Sequence, residues 1–442
     1  MTERAEFPVE PWCLRECGLN LDLLARSESL FALSNGHIGL RGNLDEGEPY
    51  GIPGTYLNSF YEVRPLPYAE PGYGYPEYSQ ELVNVTNGKL IRLLVDDAPF
   101  DVRYGRLFGH ERVLDLRAGT LLRTADWKSP SGRRVRVRST RLVSFAQRAV
   151  AAIEYIVEPV DAAVRLVVQS ELVANEPIPP RSGDPRVGAA LENPLSALDR
   201  DLHTRGAVLL HRTRLSGLQV AAAMDHIVEA PAEVSVESAA TEDWVRSTFV
   251  STVRPGQRLR IVKLLAYGWS GVRSTAALRD QVAAALTAAR HTGLEQLLVE
   301  QRAYLDNFWA GADVRIESDP QLQQAVRFAL FHVLQASARA EGRCLPAKGL
   351  TGPGYDGHTF WDSESYVVPV LTYTQPQAAA DALRWRHSTL DLAKKRAASF
   401  GLRGAAFPWR TIRGEECSGY WPAGTAAFHI NADIAAAVAT GQ

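Results

Sequence analysis

Apolar and polar residues alternate with a period of two in short runs over the first part of the chain: Val135-Arg136-Val137-Arg138, Ala149 to Val157, Val164 to Leu172, Ala207 to Leu215, Leu218 to Met224 and Arg258 to Tyr267. Successive side chains of a strand point to opposite faces, so each run predicts a strand with one buried face. Gly, Pro, Asp or Ser breaks the runs every ten or so residues, and this rhythm predicts a large antiparallel β-sandwich over 1–272. Asn35-Gly36 predicts a hairpin turn within it.

Near residue 272 the period becomes helical. Ala276 to Ala289 and Leu294 to Trp309 predict two helices joined at Gly293, a helical linker over 273–315. Ser318-Asp319-Pro320 reads as an N-cap followed by proline at the first helical position, where its missing N–H has no partner to lose. It opens a helix to about Ala340 and a helical domain over 316–442, with further helices predicted near Thr359–Tyr373, Gln377–Ser399 and Ala426–Ala439. The fold class expected is α+β and multidomain.

Composition narrows the partners. The 442 residues are 46% hydrophobic and 22% charged, the balance of a globular chain, and the net charge of −2 gives no basic field for nucleic acid or an acidic membrane surface. Met1 to Val9 is polar, and no run approaches the ~20 apolar residues of a membrane helix, so a cytoplasmic location is expected. The four cysteines, Cys13, Cys17, Cys344 and Cys417, are too few and too scattered for a disulfide framework. Cys13-x-x-x-Cys17 has no second ligand pair at zinc spacing, so no metal is expected. Gly352 to Gly357 fits G-x-G-x-x-G, but no βαβ unit surrounds it and no dinucleotide cofactor is expected.

The candidate chemistry lies late in the chain. From Lys348 to Glu364, a stretch with Gly349, Gly352, Gly354 and Gly357 leads directly into His358, Phe360, Trp361, Asp362 and Glu364. A Trp beside a carboxylate offers a flat apolar platform and a strong acceptor, which suits a pyranose. The same residues also fit a glycine loop capping a helix, with core aromatics and first-turn carboxylates. A second cluster from Phe407 to Ala426 repeats the recipe with Trp409, Arg410, Glu415, Glu416, Cys417, Tyr420 and Trp421. Exposed or cleft-lining Trp in such loops reads as ligand contact. Of its carboxylates, Glu416 is the first candidate to face a cleft, ahead of Glu415. His358, His429, Glu364 and Asp433 read first as structural residues.

These motifs carry a resemblance. K-G-L-T-G-P-G-Y-D-G-H-T-F-W-D-S-E at Lys348–Glu364 resembles the signature of glycoside hydrolase family 65, the maltose, trehalose and kojibiose phosphorylases. Similar segments occur at Glu28–Gly42, Pro53–Tyr56, Glu81–Asn84, Gly414–Glu416 and His429–Ala435. The resemblance implies a β-sandwich followed by an (α/α)6 barrel whose loops form the active site. It implies inverting phosphorolysis of an α-glucosyl disaccharide, with inorganic phosphate as co-substrate, no other cofactor, and room for a homodimer at full length. Trp361 and Asp362 match the pair that grips glucose, and Trp409 matches the Trp of a Pro-Trp-Glu-Ser loop.

Three departures follow. Twelve barrel helices of about 11–12 residues with connections of about 5 need roughly 200 residues, and residues 316–442 fall well short. The family's general acid, a Glu in a D-E-Y-H-like segment, is expected downstream of Gln442, so no catalytic residue is assigned within this chain and the chain alone is expected to be inactive. Arg410 stands where the family carries Glu, so a guanidinium is expected beside the acceptor sugar. Three functional readings therefore stand: a phosphorylase, an inactive sugar-binding fragment, and a glucoamylase- or trehalase-like hydrolase using Glu415 or Glu416. The expected substrate-binding residues are Trp361, Asp362, Trp409, Arg410 and Glu416.

Overall fold

The structure is a computed structural model, which describes residues 6–66, 68, 72, 74–177, 191–419 and 427–440. The alternating runs form strands as expected. In Arg134–Val143, Val135 and Val137 point inward while Arg134, Arg136 and Arg138 point outward, and the strand pairs antiparallel with Thr120–Lys128 from Thr120↔Leu142 to Lys128↔Arg134. The pairing continues into a ten-stranded antiparallel sheet that ends on Leu195–Leu202. A five-stranded sheet carries Val164–Val173 at its centre.

The inner faces of the two sheets share one core. Leu121, Trp127, Val135 and Val157 from the larger sheet meet Leu93, Leu166, Val168 and Phe249 from the smaller. Strand Leu259–Ser270 is buried along most of its length because the helix Thr275–Ala312 covers its other face, with Val262, Leu264 and Ala266 against Leu278, Val282 and Leu297. A strand covered on both sides loses the polar alternation of its neighbours.

The helix starts follow from short-range chemistry. Ser274 accepts from the Ala277 N–H at 3.2 Å, and Gly293 adopts φ 75° at the kink that separates the two halves of Thr275–Ala312. Asp319 accepts from the N–H groups of Gln321 and Leu322 at 3.0 and 2.9 Å, opening Pro320–Ser337. Asn35-Gly36 forms the hairpin between Leu33–Ser34 and Ile38–Leu40, with Gly36 at φ 88°.

Two predicted helices differ. The region Thr359–Tyr373 begins as a short strand, Thr359–Phe360, that pairs with Arg410–Thr411, then makes a π-helical turn at Ser363–Val367 and a helix at Val368–Thr374. A partner strand distant in sequence captures backbone that would otherwise continue a helix. Gln377–Ser399 divides into Pro376–Ser388 and Leu390–Ser399. The hydroxyls of Ser388 and Thr389 donate to the carbonyls of Trp385 and Arg386 at 2.6 and 2.7 Å, which competes with continued helix at that point. The last helix is His429–Thr440. Five α-helices follow residue 316 among the described residues.

Candidate functional site

The signature loop is shaped by backbone that most residues avoid. Tyr355, Asp356 and Gly357 take φ of 55°, 56° and 75° in succession. A Cβ on Gly357 would lie 2.5 Å from the Leu82 Cβ, so the loop can approach the sandwich there only as glycine. Farther along, Arg41 donates to the Thr351 carbonyl at 2.5 Å and also pairs with the buried Glu28. The sandwich therefore carries the loop on a buried guanidinium.

His358 lies fully buried behind the loop. Its Nε2–H donates to the Gln80 carbonyl, and its Nδ1 accepts from Arg410 Nε at 2.7 Å. Burial and the neighbouring Arg410 charge hold its pKa well below the ordinary histidine value, so it stays neutral. This fixes one tautomer. His358 is structural, as the sequence suggested.

Three rings form an edge-to-face cluster in front of it. Trp361 and Trp409 stand 6.4 Å apart between centroids at 68°, and His429 meets them at 5.2 and 5.8 Å. Both Trp side chains are half-buried and His429 is exposed. The Trp361 indole N–H is buried with no partner, a donor left available in the cluster. Asp362 follows at the rim, exposed and without an ion pair or hydrogen bond among the described residues. Trp361, Asp362 and Trp409 thus come together as a ring platform with one free carboxylate. Tyr420 and Trp421 lie outside the described residues.

Two expected site residues require correction. Arg410 is buried and points away from solvent, pairing with Asp356 at 2.5 Å as well as with His358. A desolvated guanidinium needs a buried counter-charge, and Asp356 supplies it, so Arg410 cannot be read as the acceptor-sugar donor in this arrangement. Glu416 is also buried. It pairs with Arg396 and accepts from the backbone N–H groups of Trp409, Cys417 and Ser418 at 2.7, 3.0 and 3.0 Å. It pins the loop that carries Trp409.

Glu415 and Glu364 are committed as well, whereas the buried Asp433 Oδ2 has no hydrogen-bond partner among the described residues. Glu415 bonds Gln80 at 2.8 Å and pairs with Arg413; burial raises its pKa, but the Arg413 hydrogen bond and charge prevail and hold it below the ordinary value. Glu364 forms a buried pair with Arg386. Neither Glu415 nor Glu416 has the freedom of a hydrolytic acid or base. Gln80 and Arg386 escaped the sequence reading. Gln80 directly precedes the Glu81–Asn84 segment, but nothing local marked it as reaching another part of the chain.

No described helix is long and apolar enough to cross a membrane. Among the described residues, no group of three or more His, Cys, Asp or Glu is placed to hold a metal.

Known proteins agree with the motif. Residues 14–308 match the glycosyl hydrolase family 65 N-terminal domain, and residues 327–440 match its central catalytic domain. An uncharacterized glycosyl hydrolase of Mycobacterium tuberculosis is 68% identical over 437 residues, 99% of this chain and 56% of that protein. An α,α-trehalose phosphorylase of Thermoanaerobacter brockii is 37% identical over 98% of this chain and 57% of its own length. A solved human-microbiome protein, a candidate kojibiose phosphorylase, superposes with a TM-score of 0.90 at 24% identity, over 98% of this chain and 56% of that one, and shows the shared fold. The chain spans a little over half the length of these relatives. With more than half its residues matched to one family's N-terminal domain and the signature in place, the chain belongs to glycosyl hydrolase family 65.

Proposed function

We propose that this chain supplies the glucose-gripping side of an inverting family 65 phosphorylase that cleaves an α-glucosyl disaccharide with inorganic phosphate. The observation that carries the reading is the cluster of Trp361, Trp409 and His429 with the unpaired Asp362 at its rim. An apolar sugar face stacks on such rings, and a free carboxylate accepts from hydroxyls with charge-assisted bonds.

In this reading a phosphate oxygen attacks the anomeric carbon from the face opposite the leaving group. The glycosidic C–O bond breaks, and the leaving oxygen takes a proton from one carboxylic acid. Phosphate is already an anionic nucleophile, so no second carboxylate is needed to activate water. Glu364, Glu415 and Glu416 are all ion-paired, which favours an acid outside the residues described here. The barrel implied by the resemblance would complete the site around the rings. Maltose, kojibiose and trehalose all remain candidate substrates. Trehalose comes first, because two α,α-trehalose phosphorylases are 37% and 36% identical to this chain, against 26% and 27% for a kojibiose and a maltose phosphorylase.

The test is release of glucose 1-phosphate from each disaccharide in phosphate buffer by the full-length protein carrying this chain. Asp362→Asn should lower kcat/KM by at least about tenfold, the order expected from losing a charged hydrogen bond of roughly 1.5–3 kcal/mol. Trp361→Ala should do at least as much. Phosphate-independent glucose release would sink the phosphorylase reading, and a kinetically normal Asp362→Asn would sink the site.

A further inference from the structure

Gln80 belongs to the sandwich, on strand Tyr78–Leu82, yet its polar groups are spent on the two loops that carry Trp361 and Trp409. The residue is 6% exposed. Its side-chain oxygen accepts from the N–H groups of Ile412 and Arg413, both at 2.9 Å, and its amide nitrogen donates to Glu415 at 2.8 Å. Its main-chain carbonyl takes the Nε2–H of His358. Two N–H donors on one side and a carboxylate on the other leave the amide a single satisfied orientation.

The consequences for the rings follow from connectivity. His358 stands three residues before Trp361, across the strand Thr359–Phe360. That strand pairs with Arg410–Thr411, immediately after Trp409. His358 also accepts from Arg410 at 2.7 Å, so the Gln80 carbonyl, His358, Arg410 and Asp356 form one buried chain that links the segments carrying both rings. The Gln80 side chain adds a second tie, to Ile412, Arg413 and Glu415, and only a flat group with an acceptor of two lone pairs and an adjacent donor makes that tie. Glutamate lacks the donor, leucine lacks both, and asparagine is one methylene short.

We propose that Gln80 is a positioning residue for the sugar site, fixing the relative placement of Trp361 and Trp409 from the sandwich side; its effect on sugar rests on the function proposed above. The sandwich then acts as more than a neighbour of the catalytic part, because it holds the geometry of the platform.

The test uses Gln80→Ala, Gln80→Glu and the reciprocal pair Gln80→Glu with Glu415→Gln, all in the full-length protein. The pair restores a donor–acceptor contact between positions 80 and 415 and keeps an oxygen for Ile412 and Arg413. The first readout is the near-UV circular dichroism of each protein minus that of its Trp409→Phe counterpart, which isolates the Trp409 contribution without any ligand. Gln80→Ala and Gln80→Glu should change this difference spectrum, and the reciprocal pair should recover it. The second readout is KM and kcat with trehalose and phosphate. KM should rise at least about fivefold in Gln80→Ala, the scale of losing hydrogen bonds worth roughly 0.5–1.5 kcal/mol each, and return to within about twofold in the pair. An unchanged difference spectrum in a folded Gln80→Ala protein, or a pair that recovers neither readout, overturns the inference. If wild type turns over no disaccharide, the functional reading fails, while the spectra still decide the positioning role.

Discussion

Arg386 sets its guanidinium on Glu364 at 2.5 and 2.9 Å, with the two side chains 2% and 4% exposed. The pair ties helix Pro376–Ser388 to the π-helical turn that starts right after Asp362. Burial makes its two halves unequal to its whole. Removing one charge strands the other in a dry interior, at about 3–5 kcal/mol, whereas apolar replacement of both is often close to neutral. Glu364→Ala should therefore lower unfolding free energy in urea by about that amount, and Glu364→Leu with Arg386→Met by much less. Equal losses would show that the pair is not desolvated in solution.

Arg410 makes a second prediction of the same kind with a functional edge. Reversing its charge in Arg410→Glu places two carboxylates against each other at Asp356 and removes the donor that His358 accepts. The expected result is a loss of about 3–5 kcal/mol in stability and, if the proposed phosphorylase function holds, a uniform loss of activity across acceptor sugars in synthesis from glucose 1-phosphate. A stable variant with a changed acceptor ranking would return Arg410 to the acceptor site and contradict the geometry described.

Gly39 tests the seat of the signature loop. A Cβ there would lie 2.2 Å from the Leu350 Cβ and 2.4 Å from the Leu350 carbonyl oxygen. Backbone has to move to admit it, and overpacking of this kind costs about 1–3 kcal/mol. Gly39→Ala should lower Tm and accelerate hydrogen exchange in residues 348–357. Normal exchange in that loop would show that the hairpin does not support it.

His226 tests the pH response of the sandwich. It is fully buried between the Arg205 carbonyl, the Ser170 hydroxyl and the Phe249 ring. Burial first, and then the nearby Lys263 charge, lower its pKa to about 3. In the unfolded chain it takes a proton near the ordinary value of 6.5, while the folded form stays neutral. The unfolded state then binds more protons, so this contribution is fully present above pH 6.5 and is lost as pH falls toward about 3. Unfolding free energy should decline between pH 7 and pH 5, and His226→Gln should make that decline shallower. An identical slope in the variant would place a charged or solvated imidazole at this position.

How far the sequence reaches depends on the range of the forces that decide each feature. Period-two runs predicted the strands, and Asp319-Pro320 and Gly293 predicted a helix start and a kink, because strand amphipathicity, capping and positive φ are settled within a few residues. The signature also placed Trp361 and Asp362 together, since neighbours in sequence share a loop whatever surrounds it. Tertiary structure decided what the polar side chains face. Arg410 finds Asp356 54 positions away, and Glu415 finds Gln80 335 positions away, and both would fit an open cleft equally well if judged by residue type alone. The strand at Thr359–Phe360 likewise exists because Arg410–Thr411 lies beside it. A buried charge takes whichever counter-charge the fold brings within reach, and that choice is made by packing between segments that carry no local mark of each other.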